Sequence, residues 1–393
     1  MPETLHINVF VDALGWRIAA PRNLLPELDA VRQPVRTVLG YSSAAVPTIL
    51  TGVLPRVHGQ WSFYLWGPEA SPFRWLRPLS VLPHRVAAHH RVRRPISAVV
   101  KRALGYTGYF NLYAAPFSRV WQWDWCEKED LFAPGGVNGH ATIFDALDEA
   151  GVRHHRSDWR RPEDENIAAA ITAAKDPRTG FVFVYLAGLD AVLHRYGHPG
   201  ADRPEGAARY EDAVRRIVAA GKGAHDDVRV CVFSDHGMAE VHRVADLRHA
   251  VEATGLRYGT DYAAIYDSTM VRLWYLRPEH RPRLEQALAA TGAGRFLSEH
   301  DLAASGADFP GHRYGEGIFL CDPGVLVVPS DMGLTPIAGM HGYGEDDPDS
   351  DAVLLSSHPP AAPVRRIDDL NRMMRAQVGL PPAPGATPLE EAA

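Results

Sequence analysis

Asp12 directly follows an apolar run in VFVDALGW, and Asp190 follows FVFVYL with His194 four positions on, in LAGLDAVLHRYGHPG. Asp235 and His236 end another apolar run in VFSDHGM, and His341 stands in GMHGYGEDD beyond the run GVLVV. Taken singly, an aspartate in such a place is more often a helix cap and a histidine more often a satisfied structural one. Taken together, three carboxylates and three imidazoles at one place would repel or be badly desolvated unless cations lay between them. Oxygen and nitrogen ligands without thiolates suit zinc, and manganese or another divalent ion less specifically. A second candidate is the segment Gly40-Tyr41-Ser42-Ser43, which precedes an apolar, helix-compatible run that stops at Gly52. With Pro47 expected near the first turn, Ser42 or Ser43 stands at a helix N-terminus, where free amides and the dipole favour an anion. Either hydroxyl is a candidate nucleophile; an ordinary serine N-cap is the plain alternative.

These groups need a scaffold that brings strand ends together. Apolar runs at 6–11, 181–186, 228–233 and 324–328 have the character of buried parallel strands. Helical patterns at 141–150, 163–174, 207–220 and 282–290 alternate with them, so the expected class is α/β: a mostly parallel sheet with helices on both faces. Such sheets bind ligands beyond the carboxyl ends of their strands, where the Asp and His residues fall. Residues 60–134 break the alternation with aromatics, prolines and basic residues, and are expected to form a cap inserted into a single domain spanning 1–393. Residues 258–323 form a second, smaller candidate insertion. No internal repeat is visible, and only the Pro/Ala-rich tail after Leu380 has low complexity.

Hydrophobic residues make up 46% of the 393 positions and charged residues 22%, which excludes a disordered or fibrous chain. No apolar run approaches the ~20 residues of a membrane span. The start, Met1-Pro2-Glu3-Thr4-Leu5-His6, has neither the basic residues nor the apolar stretch of a signal peptide. Cys126, Cys231 and Cys321 are too few and too scattered for a disulfide framework or a cysteine zinc site, so a reducing cytoplasm is the expected location. The net charge of −6 is unevenly spread: positions 70–123 hold nine Lys/Arg and no Asp or Glu. That asymmetry points to a segment that meets an anion or packs on an acidic body.

In order along the chain, these segments resemble the alkaline phosphatase superfamily and, within it, the type I phosphodiesterase/nucleotide pyrophosphatase family. VFVDALGW is similar to its first metal-ligand strand, SSAAVPTILTGVLPRVHG to its nucleophile helix and TG…P…HG turn, and LDAVLHRYGHPG to its D-x-x-x-H-x-x-G segment. FSDHGM, GMHGYGEDDPDSDAVLL and the tail RIDDLNRMMRAQVGLPPAPGATP are similar to its later metal motifs, the strand after them and its closing helix. The resemblance implies an alkaline phosphatase-like core and two divalent metal ions, one held by Asp190, His194 and His341 and the other by Asp12, Asp235 and His236. Counting ten residues back from Gly52 makes Ser42 the implied nucleophile; a one-residue gap would make it Ser43.

The implied activity is phosphodiester or pyrophosphate hydrolysis by in-line displacement through a phosphoseryl intermediate. Two departures bear on the substrate. Where many family diesterases have an asparagine past the HG turn, this chain has Gln60-Trp61-Ser62-Phe63-Tyr64, and the basic, aromatic cap matches no known nucleotide pocket. Monoesterase, phosphonate hydrolase or sulfuryl transferase activity within the superfamily is the alternative, although neither serine starts the C/S-x-P-x-R pattern of a sulfatase. A non-catalytic binding protein that keeps the fold is the alternative from another class. The partner expected is a small anionic phosphoester, with Ser43, Tyr64, Arg91 and Arg93 as candidate substrate contacts. No specific nucleic-acid binding and no protein partner is implied. The cap's aromatic and basic residues could hold a base and phosphate, meet an anionic lipid surface, or, for half or more of the aromatics, form the cap's own core.

Overall fold

The computed structural model describes residues 4–387. The first three residues of the chain and the last six, with the end of the low-complexity tail, lie outside the described residues. The central sheet is built from β1 (Thr4–Val11), β2 (Val31–Val35), β3 (His154–Arg156), β4 (Phe181–Leu186), β5 (Asp227–Phe233) and β6 (Ala352–Ser356), in the spatial order β2-β6-β5-β1-β4-β3. The run β5-β1-β4-β3 is parallel, while β6 lies antiparallel between β2 and β5. The middle strands read as near-continuous apolar runs because both faces are covered. Their period-2 alternation still sorts the side chains. Phe10, Phe181, Phe183 and Phe233 enter one hydrophobic core, and Ile7, Val9, Val182, Val184 and Val232 the other.

Helices cover each face. The phenylalanine side is packed by α1 (Ser42–Thr51) and by the last helix of the set, which supplies Leu370, Met373 and Met374. Between them in the chain come α2 (His90–Leu104), α3 (Glu163–Ala174), α4 (Gly188–Tyr196) and α5 (Ala207–Lys222), and the last helix is α6 (Asp369–Gln377). Helices α3 and α5 pack the aliphatic side through Ile167, Ala170, Val214 and Ile217. Pro47 is the sixth residue of α1 rather than part of its first turn. Pro47 leaves the Ser43 carbonyl without its helical N–H, and the helix withstands that loss because tertiary packing buries nine of its ten residues.

One strand expected in the central sheet is elsewhere. Val325–Val327 pairs in parallel with Arg243–Ala245 as a separate two-stranded ribbon. Its apolar run is buried there just as it would be in the main sheet, and hydrophobicity does not name a partner.

Residues 60–134 hold α2, several shorter helices and a two-stranded antiparallel pair, Tyr64–Trp66 with Trp123–Trp125. Many of that stretch's aromatics fill its interior: Trp61, Tyr64, Phe73, Trp123 and Trp125 are fully buried, whereas Trp75 is 49% exposed. Residues 258–323 hold a four-stranded antiparallel sheet in which Ala263–Tyr266, Met270–Trp274, Gly317–Cys321 and Gly294–Phe296 are successive neighbours. The two segments share a core, since Ala263, Ile265 and Trp274 pack with Tyr64, Phe73, Trp123 and Trp125.

Candidate metal centre and active-site pocket

The register of the parallel strands builds the first half of the site. Phe10 pairs with Phe233 and Val11 with Leu186, so Asp12 and Asp235 leave their strands side by side at the carboxyl edge. Asp12 is 4% exposed and Asp235 fully buried. The Nε2 of His236 lies 3.2 Å from Asp235 Oδ2 and 3.6 Å from Asp12 Oδ1. Its Nδ1 faces the Gly237 carbonyl at 2.8 Å, which orients the ring and leaves Nε2 free to act as a ligand. The second half comes from α4, where Asp190 and His194 are one turn apart with Oδ1 and Nε2 at 3.3 Å. His194 Nδ1 faces the Gly339 carbonyl at 2.9 Å, and His341 brings its Nε2 to 3.6 Å from Asp190. His341 follows the short strand Gly339–Met340 and not the end of a central strand. The rings of His236 and His341 stack at 3.7 Å, which joins the two halves.

The donors form two sets, Asp190/His194/His341 and Asp12/Asp235/His236, each with ligand atoms within 4.8 Å of one another. Asp12 Oδ1, Asp190 Oδ1, Asp235 Oδ2 and His341 Nδ1 are buried and have no hydrogen-bond partner. Three carboxylates this close are expensive without cations, so the donor types and orphaned oxygens fit divalent ions. Electrostatics reports the same crowding. Burial, then Asp235 and Asp190, holds Asp12 well above the carboxylate range, although Tyr185 donates to its Oδ2 at 2.7 Å. Burial alone would lower His236, but Asp235, Asp12 and Asp190 outweigh it and lift the ring to about 10. His341 is pushed well below the usual value by burial and by its neighbours His236 and His194.

The two serines part company here. Ser42 opens α1 and holds its Oγ 3.1 Å from His236 Nε2, facing the second set of donors. Ser43 is 2% exposed and donates its hydroxyl to the Trp61 carbonyl at 2.8 Å.

A cavity of about 490 Å³ opens from Ser42, Asp12, Asp190, His194 and His341 toward an aromatic end formed by Phe63, Tyr109, Tyr113 and Trp159. No lysine or arginine lines it among the described residues. Three expected substrate contacts therefore lie elsewhere. Phe63, just before the strand Tyr64–Trp66, enters the cavity, while Tyr64 is buried in the cap, its hydroxyl donating to the Asn111 carbonyl. Arg91 and Arg93 are two positions apart on α2 and so face different sides. Arg91 is exposed, and Arg93 is buried against Phe117. Ser43 is at the cavity wall.

Glu127, at the aromatic end, was not legible as a site residue. It sits in Cys126-Glu127-Lys128-Glu129-Asp130, a charged run with the look of a solvated turn. Burial pushes its carboxyl up to about 8, against the lowering effect of the Tyr109 amide that donates to it at 3.0 Å. Tyr185 is equally inconspicuous in the sequence, where a lone tyrosine next to the last residue of FVFVYL is its only signal.

The model of the type I phosphodiesterase / nucleotide pyrophosphatase family matches residues 11–344. The chain belongs to that family, whose members are phosphoric ester hydrolases. Its fold is similar to that of murine ectonucleotide pyrophosphatase/phosphodiesterase 5, with 14% identity, a TM-score of 0.66 and 98% of each chain covered. The human counterpart is 12% identical with a TM-score of 0.67, covering 97% of this chain and 96% of its own. An inactive variant of the murine protein in complex with AMP matches at 14% identity and a TM-score of 0.64, covering 97% of this chain and 96% of that one. Beside these folds the chain is an alkaline phosphatase-like α/β protein, as its motif order implied.

Proposed function

We propose that this member of the type I phosphodiesterase family cleaves phosphodiesters or pyrophosphates through a phosphoseryl intermediate on Ser42, with two divalent cations, zinc first and manganese second in expectation. The observation that carries this reading is the pair of Asp/His sets, with orphaned carboxylate oxygens, around Ser42, whose hydroxyl faces His236 while that of Ser43 is spent on a backbone carbonyl. Asp190, His194 and His341 would hold one ion and Asp12, Asp235 and His236 the other. Two such ions supply the positive charge that ionises a serine hydroxyl and stabilises a leaving oxygen. Ser42 Oγ then forms a bond to phosphorus as the bond to the leaving group breaks, and the departing oxygen leaves as an alcohol or phosphate. Water next forms the new P–O bond, Oγ leaves and takes up a proton, and a phosphate monoester is released. The amides of Ser42 and Ser43, which open α1 and have no intrahelical carbonyl to bond, would donate to the equatorial oxygens. Helix-dipole support and the fixed orientations of His194 and His236 mean that little reorganises during the displacement.

The cavity's aromatic end supports a substrate whose phosphate carries an apolar or aromatic group. The AMP complex of a protein with this fold supports a nucleoside group in particular. Purified protein should hydrolyse bis-p-nitrophenyl phosphate faster than p-nitrophenyl phosphate. Prolonged chelation should abolish turnover, and zinc or manganese should restore it. Hydrolysis indifferent to chelators would sink the two-metal reading, and a strong preference for the monoester would turn the assignment toward a phosphomonoesterase.

A further inference from the structure

The basic residues of 70–123 that do not reach the cavity leave a charge imbalance of their own. Arg93 on α2 is 3% exposed, its guanidinium lies 4.1 Å over the Phe117 ring, and none of its three side-chain nitrogens meets an acceptor. Burial pushes its pKa down, but a guanidinium stays charged across the working pH range. Other cations gather at the same seam between the 60–134 segment and the body of the protein. Arg248, on the helix Leu247–Glu252, pairs with Asp331 and lies 4.9 Å from the Tyr266 ring. Arg119, on the short helix Phe117–Val120, meets the same ring at 5.8 Å and pairs with Glu252. His84 stands among them: burial lowers its pKa first, then Arg248 and Arg93, with Asp331 opposing and Arg119 adding.

Both ring nitrogens of His84, Nε of Arg248 and one terminal nitrogen of Arg119 are also buried without a partner. Of the three guanidiniums, Arg119 pairs with Glu252 and Arg248 with Asp331, while Arg93 has no carboxylate partner. Water could satisfy the donors, but it would leave the surplus positive charge uncompensated. A tetrahedral oxyanion answers both needs, because its oxygens accept paired N–H groups from guanidinium forks.

We propose that the seam formed by His84, Arg93, Arg119 and Arg248 is a binding site for a small oxyanion of the phosphate or sulfate type. The site is separate from the metal centre and does not depend on the reaction proposed there. It adjoins the cavity wall through Asp331, whose chain neighbours Ser330 and Met332 line the cavity and whose carbonyl accepts the Ala114 amide. An anion held there ties α2 and the Phe117–Val120 turn to that wall.

The test is thermal unfolding of the metal-loaded protein and of Arg93→Met in a phosphate-free buffer. Inorganic phosphate is then added, with sodium chloride keeping ionic strength constant. Phosphate on the metal centre would raise both proteins alike, so the difference between them belongs to the seam. The wild-type Tm should rise by about 2 °C more than that of the variant at saturation. Without phosphate the variant should be at least as stable, since a thioether stacks on Phe117 without a buried charge. Equal increments in both proteins would overturn the proposal. If Arg93→Met does not fold, selenate-soaked crystals of the wild type decide: an anomalous peak among Arg93, Arg119 and Arg248 supports the site, and its absence overturns it. Repeating the titration with glycerol phosphate separates sources. A response to both ligands marks a site open to a carried phosphoryl group, and a response to phosphate alone marks one closed around the free ion.

Discussion

Ser42 and Ser43 are adjacent and chemically identical, so their hydroxyl partners are what separate them. Replacing Ser42 with alanine should lower kcat by ~10²–10⁴ or more while the circular dichroism spectrum is unchanged, because a covalent step is lost. Ser43→Ala should keep most of the rate and lose ~1 kcal/mol of stability, the ordinary worth of a hydrogen bond such as the one to the Trp61 carbonyl. The opposite pattern would mean that the ten-residue spacing to Gly52 assigned the wrong serine. Glu127 carries a different kind of prediction. Its carboxyl is raised in the folded protein, so its contribution to stability is complete below the unfolded value and lost as pH rises through about 8. Urea unfolding at pH 5 and pH 9 should show Glu127→Gln gaining on the wild type by a few kcal/mol at the higher pH. A pH-independent difference between the two proteins would refute the buried, protonated carboxyl. At this scale the sequence shows acids and imidazoles well, because few alternatives explain so many in the segments that follow apolar runs. It shows Glu127 poorly, because a buried acid and a solvated one have the same letter.

The element that carries the serine depends on how its far end is held. Gly52 ends α1 with φ of 74°, and a β-carbon there would come within about 2.9 Å of the Asn371 side chain. Asn371 on α6 donates to the Leu50 carbonyl at 2.7 Å, satisfying one of the groups the helix end leaves open. Gly52→Ala should therefore cost ~1–3 kcal/mol from the left-handed backbone together with the clash. Thermal unfolding will check this, and an unchanged Tm would mean that α6 yields without cost. The strands β1, β4 and β5 were legible because burial on both faces writes long apolar runs. The helices at 163–174 and 207–220 were legible from their periodicity, and α3 has the expected bounds. Short elements were not. Val325–Val327 reads like a central strand but pairs with Arg243–Ala245, and the two-residue strand before His341 has no pattern to detect. The cap's own packing was equally hidden, since a tryptophan that fills a core and one that meets a ligand look alike in sequence.

Across the whole molecule, the shared core of 60–134 and 258–323 argues against a cap that melts by itself. Tryptophan fluorescence, dominated in change by buried Trp61, Trp123 and Trp125, should report the same urea midpoint as far-ultraviolet circular dichroism. Two separated midpoints would show that the cap is an independent unit. The place of β6 has a consequence in time. It lies between β2 and β5, yet it is the last strand of the sheet to be synthesised. At ~5–20 residues per second, the ribosome needs roughly 6–25 s to go from the end of β5 to the end of β6. Throughout that interval the nascent sheet has two strands with edges waiting for the same partner, and such edges recruit other chains. A chain that stalls before Ala352 would thus be prone to aggregation as well as incomplete, and slower translation late in the message should lower the soluble yield.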